Sequence, residues 1–130
     1  MQVLDASAVV ELLMGTPRGV QVAALIDSGS SLHAPELLGV EVASVLRRLV
    51  RLEEITAKTG GAVLADLRAL GIEMYSHELL LERVFQLRNV FTAYDATYVA
   101  LAEVLACDVV TCDAKRAGAT GHRARFTVVT

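Results

Sequence analysis

The sequence predicts an α/β domain in which a parallel sheet is sandwiched between helices. Two observations favour this class. Short apolar runs alternate with helical patterns along the whole chain, which is typical of strand–helix–strand units. The 130 residues are 54% hydrophobic and 21% charged, enough to bury one core without disulfides, and no linker, repeat or low-complexity segment divides them. We therefore expect residues 1–130 to form one domain.

In the first half of the chain, turn residues separate the apolar runs and so define the elements. In order, we expect a strand at Gln2–Leu4, a helix at Ala8–Met14, a helix at Val20–Ile26 and a strand at Leu32–Ala34. Ser7 is a natural N-cap for the first helix. The turn residues 27–30 end the second helix, and Pro35 closes the second strand.

A helix of about four turns follows from Leu37. Its predicted buried stripe consists of Leu38, Val42, Val45, Leu46, Leu49 and Leu52. Arg47, Arg48 and Arg51 lie outside this stripe, where we expect a solvated face, with contact to a partner or a phosphate as the alternative. Glu36 falls in the first turn and suits the helix dipole.

The second half of the chain continues the alternation. Thr56 caps a helix that runs to about Leu70 and stops at Gly71. We then expect, in order, a strand at Ile72–Tyr75, a helix from His77 to about Val90 capped by Ser76, a helix from Thr92 to Ala106, a strand at Asp108–Thr111 and a strand at Phe126–Val129. His77 has no partner acid that the sequence can identify, so we expect a structural role.

Composition excludes several classes of protein. Cys107 and Cys112 have no second pair and no nearby histidines, so we expect small core residues rather than a zinc site. No basic leader precedes the first strand, and no apolar stretch reaches about 18 residues, so we expect a cytoplasmic protein without a membrane segment. The net charge of −3 argues against nonspecific coating of nucleic acid, although a local basic patch could still guide a phosphate backbone.

Two acids, Asp95 and Glu41, interrupt apolar helix faces. At helical spacing, the neighbours of Asp95 are Phe91, Tyr98, Val99 and Ala102, and those of Glu41 are Leu38, Val45 and Leu49. A lone carboxylate on a buried face is costly, so each acid needs a cation or a proton. For Asp95 the alternative is that it, or Thr92, simply caps the helix.

Two further acids, Asp5 and Asp113, each follow a predicted strand. The carboxyl ends of parallel strands form the ligand crevice of open α/β sheets. The structural alternatives are a capping role that Asp5 shares with Ser7 and an ordinary turn at Asp113.

Right-handed crossovers bring such strand ends and helix starts to one edge of the sheet, so the four acids should converge. Converging carboxylates repel one another unless a cation neutralises them, and Mg²⁺ or Mn²⁺ prefers carboxylate and water oxygens. One or two such ions are the equipment for phosphodiester hydrolysis. The sequence has no nucleophile elbow, phosphate-cradling glycine loop or histidine–cysteine pair that would supply another chemistry.

Four segments, in this order, resemble the PIN-domain ribonucleases, specifically the toxin component of VapBC-type toxin–antitoxin pairs. They are Val3–Ser7, Glu41–Ala43 after Ala34–Pro35, Tyr94–Ala102 and Val110–Asp113. The likeness covers the whole chain. It implies a five-stranded parallel sheet flanked by helices, metal-dependent endoribonuclease activity with Mg²⁺ or Mn²⁺, an RNA substrate, and a homodimer held inactive by a small antitoxin.

By position, the resemblance implies an acidic quartet of Asp5, Glu41, Asp95 and Asp113, with Ser7 orienting the first acid. We expect water to attack phosphorus in line. Asp5 and Asp95 would be the principal metal ligands, Asp113 would bind directly or through water, and Glu41 would hold or deprotonate the water.

The chain departs from some members of this family after the last aspartate, where Lys115 and Arg116 replace a further acid. This change argues against a second tightly held metal. The two cations are candidates for gripping RNA phosphate, and the equal alternative is that they neutralise the carboxylates when no metal is bound.

Three rival functions remain for comparison. A phosphoacceptor receiver domain needs adjacent acids after its first strand, an acceptor aspartate after a central strand and a late lysine. Here the middle strand ends in Tyr75–Ser76. A haloacid-dehalogenase-type phosphatase needs a second aspartate where Ser7 stands. The third rival is a PIN-like scaffold that binds protein or RNA without cutting it.

Overall fold

Five parallel strands form a single sheet in the computed structural model, which describes residues 1–26 and 29–130. The strands are β1 (Gln2–Leu4), β2 (Leu32–Pro35), β3 (Glu73–Tyr75), β4 (Asp108–Thr111) and β5 (Arg125–Val128). They lie in the order β3-β2-β1-β4-β5. The predicted α/β class and the five-stranded parallel sheet are confirmed.

Seven helices connect the strands in the described residues. They are α1 (Ala6–Met14), α2 (Pro17–Ile26), α3 (Leu37–Arg51), α4 (Ala57–Asp66), α5 (Leu81–Gln86), α6 (Ala93–Leu105) and α7 (Ala114–Ala117). Short 3₁₀ turns at Leu67–Leu70 and Glu78–Leu80 follow α4 and precede α5. Gly71 ends the first of these turns with φ 65°, a backbone conformation that suits glycine.

The order in which the chain adds strands to the sheet reverses at β1, in the middle of the sheet. Residues Gln2 and Val3 of β1 pair with β2, and β1 pairs on its other side with β4. The chain therefore builds outward from β1 to β3 and then returns to β4. With right-handed crossovers, this reversal places α1–α4 on one face and α5–α6 on the other. The carboxyl ends of β1 and β4 lie at the switch point, where such sheets bind ligands.

The core is centred on β1, β4 and α6. Val3, Leu4, Val109 and Val110 are at most 1% exposed, and residues 96–102 of α6 are all buried. Both central strands are covered on their two faces, and their inner residues are therefore apolar, as the sequence predicts. The residues after these strands are thus held by a rigid base.

Helices α1 and α2 approach each other at Gly19. A Cβ atom at this position would lie 1.9 Å from the carbonyl oxygen of Glu11, so the close contact requires glycine. Within the described residues, no single helix is long and apolar enough to cross a membrane, although α1 and α2 pass that test together while bent by 108° at their junction.

Several predicted boundaries are wrong. The helix expected from His77 to Val90 is a 3₁₀ turn followed by the short α5, and Leu81 and Phe85 are 57% and 68% exposed. Its buried contacts come from Leu80, Val84 and Leu87 instead. The apolar pattern of this segment was misleading because some of its apolar side chains face the core and others face solvent.

Two other predictions on the first half need correction or limitation. Leu52 was expected in the buried stripe of α3 but lies just beyond the helix and is 60% exposed. The predicted end of α2 includes Asp27 and Ser28, which lie outside the described residues. The exposed Arg47, Arg48 and Arg51 line a surface cavity of about 390 Å³, in keeping with the expected solvated face.

Candidate active site

Asp5 lies immediately after β1 and is completely buried. Its backbone N–H donates to the carbonyl of Val110 in β4 at 3.2 Å, which fixes it between the two central strands. Its Oδ1 accepts hydrogen bonds from the N–H of Ala8 at 3.0 Å and from Ser7 Oγ at 2.6 Å. Asp5, and not Ser7 as predicted, is therefore the N-cap of α1, because the helix begins at Ala6, two residues earlier than expected.

Ser7 connects the ends of the two central strands. Its hydroxyl donates to Asp5 and accepts from the N–H of Cys112 at 2.9 Å, and it lies 3.3 Å from Thr111 Oγ1. Thr111 Oγ1 in turn accepts from the N–H of Asp113 at 3.0 Å. Thr111 was not among the predicted site residues, because its signal in the sequence is no more than a polar residue at the end of a buried strand.

Asp113 follows β4 and caps α7. Its Oδ1 accepts from the N–H of Lys115 at 3.0 Å, so the ordinary turn role considered for this residue is present. Its other oxygen, Oδ2, faces Arg116 Nε at 3.7 Å. The same carboxylate therefore both caps a helix and contributes charge to the cluster.

Asp95 lies in the first turn of α6, and Thr92 is the cap of that helix. Thr92 Oγ1 accepts from the N–H of Asp95 at 3.2 Å, and the Asp95 carboxylate has a further partner beyond this cap. That partner is Arg116, whose Nη2 lies 2.9 Å from Asp95 Oδ1. The predicted inward face of the helix is buried as expected, with Phe91, Tyr98, Val99 and Ala102 at most 8% exposed.

Arg116 joins three of the four predicted acids. Nη1 pairs with Asp5 Oδ2, Nη2 with Asp95, and Nε faces Asp113. Lys115, the neighbouring cation, is exposed and has no salt bridge among the described residues. Of the alternatives left open for these cations, Arg116 adopts the neutralising one.

Glu41 reaches the site through Tyr98. The Tyr98 hydroxyl donates to Glu41 Oε1 at 2.6 Å, and the ring is 2% exposed. The charges of Asp5 and Arg116 act on the pKa of this tyrosine, so the Glu41–Tyr98 pair adjoins the cluster. Sequence reasoning missed this role, although a tyrosine on a buried face needs a partner for its hydroxyl.

His77 fixes the start of the helix that carries Glu41. Its Nε2 accepts a hydrogen bond from the N–H of Leu37, the first residue of α3, at 2.8 Å. The structural role expected for His77 is thus the capping of a distant helix.

Cys107 is buried, Cys112 is half-buried against the core, and both are free thiols.

The electrostatics of the cluster show that one arginine does not balance three acids. Burial raises the pKa of Asp95; Arg116 lowers it, and Asp5 and Asp113 raise it again, with a net increase. Burial by itself would lower the pKa of Arg116, but the three carboxylates more than offset this and raise it. With one guanidinium against three carboxylates, the cluster has a formal excess of negative charge when all its groups are ionised.

The donor set fits a hard divalent cation. All four acids offer oxygen atoms, and the side-chain exposure increases from 0% at Asp5 to 25% at Asp95 and 42% at Asp113, so the site is open on one side. In the part of the chain that the structure describes, no three His, Cys, Asp or Glu side chains are spaced to hold a metal ion directly. The carboxylates are instead separated by the guanidinium, since each faces a different nitrogen of Arg116.

The chain matches known proteins both in sequence and in structure. The sequence profile of the PIN domain matches residues 3–119. Ribonuclease VapC12 of Mycobacterium tuberculosis is 38% identical over 129 residues, which cover 99% of each chain.

Two solved structures share the fold. One is PAE2754 from Pyrobaculum aerophilum, with a TM-score of 0.68 and 18% identity over 96% of this chain and 81% of that one. The other is Mycobacterium tuberculosis VapC20, described as a sarcin–ricin loop cleaving toxin, with a TM-score of 0.65 and 15% identity over 86% of this chain and 88% of that one.

Proposed function

Because this chain belongs to the PIN-domain family, we propose that it is an endoribonuclease that hydrolyses RNA phosphodiester bonds and acts as the toxin of a type II toxin–antitoxin pair. The observation that carries the proposal is the convergence of Asp5, Asp95 and Asp113 on one point at the switch of the sheet. The name of VapC12 as a ribonuclease and of VapC20 as a toxin supports it.

Asp5, Asp95 and Asp113 would hold Mg²⁺, or alternatively Mn²⁺. When bound, such an ion binds the phosphate, favours ionisation of water and stabilises the leaving oxygen. Ser7 holds Asp5 through a hydrogen bond to Oδ1, which leaves Oδ2 directed into the site. The strand ends and the start of α6 bring these three acids to one guanidinium, and their carboxylates would have to move closer together to bind an ion.

Glu41 would orient the attacking water and accept its proton. Tyr98 occupies Oε1, so we assign the proton transfer to Oε2. Lys115 lies at the exposed rim beside Asp113, and its ammonium group would contact the phosphates of the RNA backbone.

We also propose that this protein forms a homodimer and binds an antitoxin. Large apolar side chains are exposed on and next to α5, with Leu79 at 94%, Leu81 at 57% and Phe85 at 68%. Exposed apolar groups of this size are typical of protein interfaces. The two free cysteines are typical of a reducing compartment, so we locate the activity in the cytoplasm.

The direct test compares RNA cleavage by the wild type with that by Asp5→Asn and Asp95→Asn in Mg²⁺. We expect both variants to lose cleavage, since each loses a charged ligand. Asp66→Asn changes an exposed acid at the end of α4 and should cleave like the wild type. Circular dichroism would verify that all proteins are folded.

Wild-type rates in Asp5→Asn would contradict the proposed site. A folded wild type that binds a panel of RNAs without cutting any of them would instead identify a non-catalytic PIN-like binding module.

A further inference from the structure

The guanidinium of Arg116 occupies the place where the proposed cation would be held. Its three nitrogens face Asp5, Asp95 and Asp113 from one plane. These are the three acids assigned to the divalent ion. In Asp5, the hydroxyl of Ser7 and the N–H of Ala8 both bind Oδ1, and Arg116 pairs with the other oxygen, Oδ2. The arginine and the ion therefore need the same atoms.

We infer that Arg116 and the divalent cation compete for these three carboxylates, so that the arginine keeps the site closed until the ion displaces it. The inference rests on the proposed function, from which it takes the ion. It assigns to Arg116 a role as an internal substitute for the metal, distinct from binding RNA.

The arginine is an imperfect occupant. Arg116 Nε is buried without a hydrogen-bond partner, because Asp113 Oδ2 is 3.7 Å away. Its single positive charge also faces three carboxylates, whereas a divalent ion would supply twice that charge. These two deficits favour exchange.

The arginine can leave without disturbing the core. It lies on α7, a helix of four residues with no buried member, and its side chain is 19% exposed. The loop from Gly118 to Ala124 follows directly. Rotation of the Arg116 side chain toward solvent would break its ion pairs and would remove no member of the hydrophobic core.

The test measures Mn²⁺ affinity by isothermal titration calorimetry on full-length, RNA-free protein. We expect Arg116→Gln to bind Mn²⁺ about tenfold more tightly or better, because a positive charge in contact with the ligands is removed. Arg116→Lys should also bind more tightly than the wild type, since an ammonium group cannot face three carboxylates at once. Lys115→Gln, the matched loss of one neighbouring charge, should bind like the wild type.

Equal affinities of the wild type and Arg116→Gln would overturn the inference. So would equal gains in Arg116→Gln and Lys115→Gln with none in Arg116→Lys, because that pattern reflects overall charge and not occupancy of the site.

Thermal melting supplies an independent measurement and a check on folding. In EDTA, Arg116→Gln should melt below the wild type, and saturating Mn²⁺ should remove most of this difference. If Arg116→Gln does not fold without metal, Arg116→Lys carries the comparison.

The same titration on Asp5→Asn and Asp95→Asn separates the two proposals. If these variants bind Mn²⁺ like the wild type, the proposed metal site is wrong. If they lose binding while Arg116→Gln is unchanged, the metal site stands and only the competition is wrong.

Discussion

Tyr98 shows how a single hydroxyl positions a carboxylate of the proposed site. Burial, and after it the hydrogen bond to Glu41, raises the pKa of Tyr98 far above its ordinary value, so the hydroxyl stays protonated and donates at neutral pH. The sequence identified Tyr98 only as part of a buried face. Its partner is 57 residues away, which helical periodicity alone does not reveal.

Replacing Tyr98 by phenylalanine should slow RNA cleavage by about tenfold to a hundredfold, since a hydrogen bond to a charged group contributes about 1.5–3 kcal/mol. The fold should be retained because the ring is kept. Cleavage rates under saturating RNA measure the effect.

Tyr94→Phe is the matched control, because Tyr94 is in the same helix and 61% exposed. We expect its rate to equal that of the wild type. A wild-type rate in Tyr98→Phe would show that Glu41 does not depend on this hydroxyl.

At the same scale, the four acids were predictable because carboxylates on apolar faces and at strand ends are costly without a partner. The choice between the two roles of Arg116 could not be predicted from the sequence. It depends on where one long side chain points, and the residue type permits both directions.

Among the elements, α5 and α6 are joined by a buried ion pair rather than by apolar packing alone. Glu103 of α6 is 2% exposed at its side chain and accepts from Arg83 Nε at 2.7 Å and Nη2 at 3.0 Å. The N–H of Arg123, in the loop before β5, donates to the same carboxylate at 2.9 Å. The hydrogen bonds from Arg83 are the main cause of a lowered pKa at Glu103, and the Arg123 N–H lowers it further against the effect of burial.

This lowered pKa predicts a pH dependence of stability. The ionised Glu103 stabilises the fold fully above about pH 4.5, which corresponds to its ordinary pKa. This contribution is lost as the pH falls through the lowered pKa of the folded state. At pH 7 we expect Glu103→Gln to lower the free energy of unfolding by about 1–3 kcal/mol. Urea titrations of both proteins from pH 7 to pH 3 should show the gap closing in acid.

Glu82→Gln is the control because Glu82 is an exposed residue of α5, and this variant should unfold like the wild type at every pH. A gap between wild type and Glu103→Gln that stays constant down to pH 3 would exclude the ionised carboxylate as its source.

The elements themselves were predicted unevenly, for a physical reason. The helices α3 and α6 have long periodic stripes and clear caps or stops, and their bounds were found closely. The segment that forms α5 is rich in leucine on all sides, because Leu79 and Leu81 point to solvent while Leu80 does not. Periodicity cannot separate a core face from an interface face in so short a helix.

For the whole molecule, the sheet order is what brings the acids together. The sequence predicted parallel strands and a shared edge, but the order β3-β2-β1-β4-β5 depends on pairing between distant segments that no local pattern specifies. The convergence was expected only because the ends of all parallel strands share one edge.

The proposed ion should stabilise the entire domain, since it binds the folded state alone. Saturating Mg²⁺ or Mn²⁺ should raise the melting temperature of the wild type by several degrees, as binding at about a hundred times the dissociation constant contributes about 2.7 kcal/mol. The increase should be smaller in Asp5→Asn and Asp95→Asn. Differential scanning fluorimetry in EDTA and in each metal measures it.

Asp66→Asn again provides the control and should respond to metal like the wild type. Identical melting curves of the wild type in EDTA and in Mn²⁺ would contradict a metal site at these acids.

The pairing of Asp5 with Arg116 spans 111 positions of the chain. On the ribosome, Asp5 leaves the exit tunnel 111 residues before Arg116, and the central strand β4 emerges only after α6. A nascent chain that ends before β4 therefore cannot assemble the proposed site. The proposed activity therefore has to wait until the segment that contains Asp95, β4 and Asp113 has been made and folded onto β1.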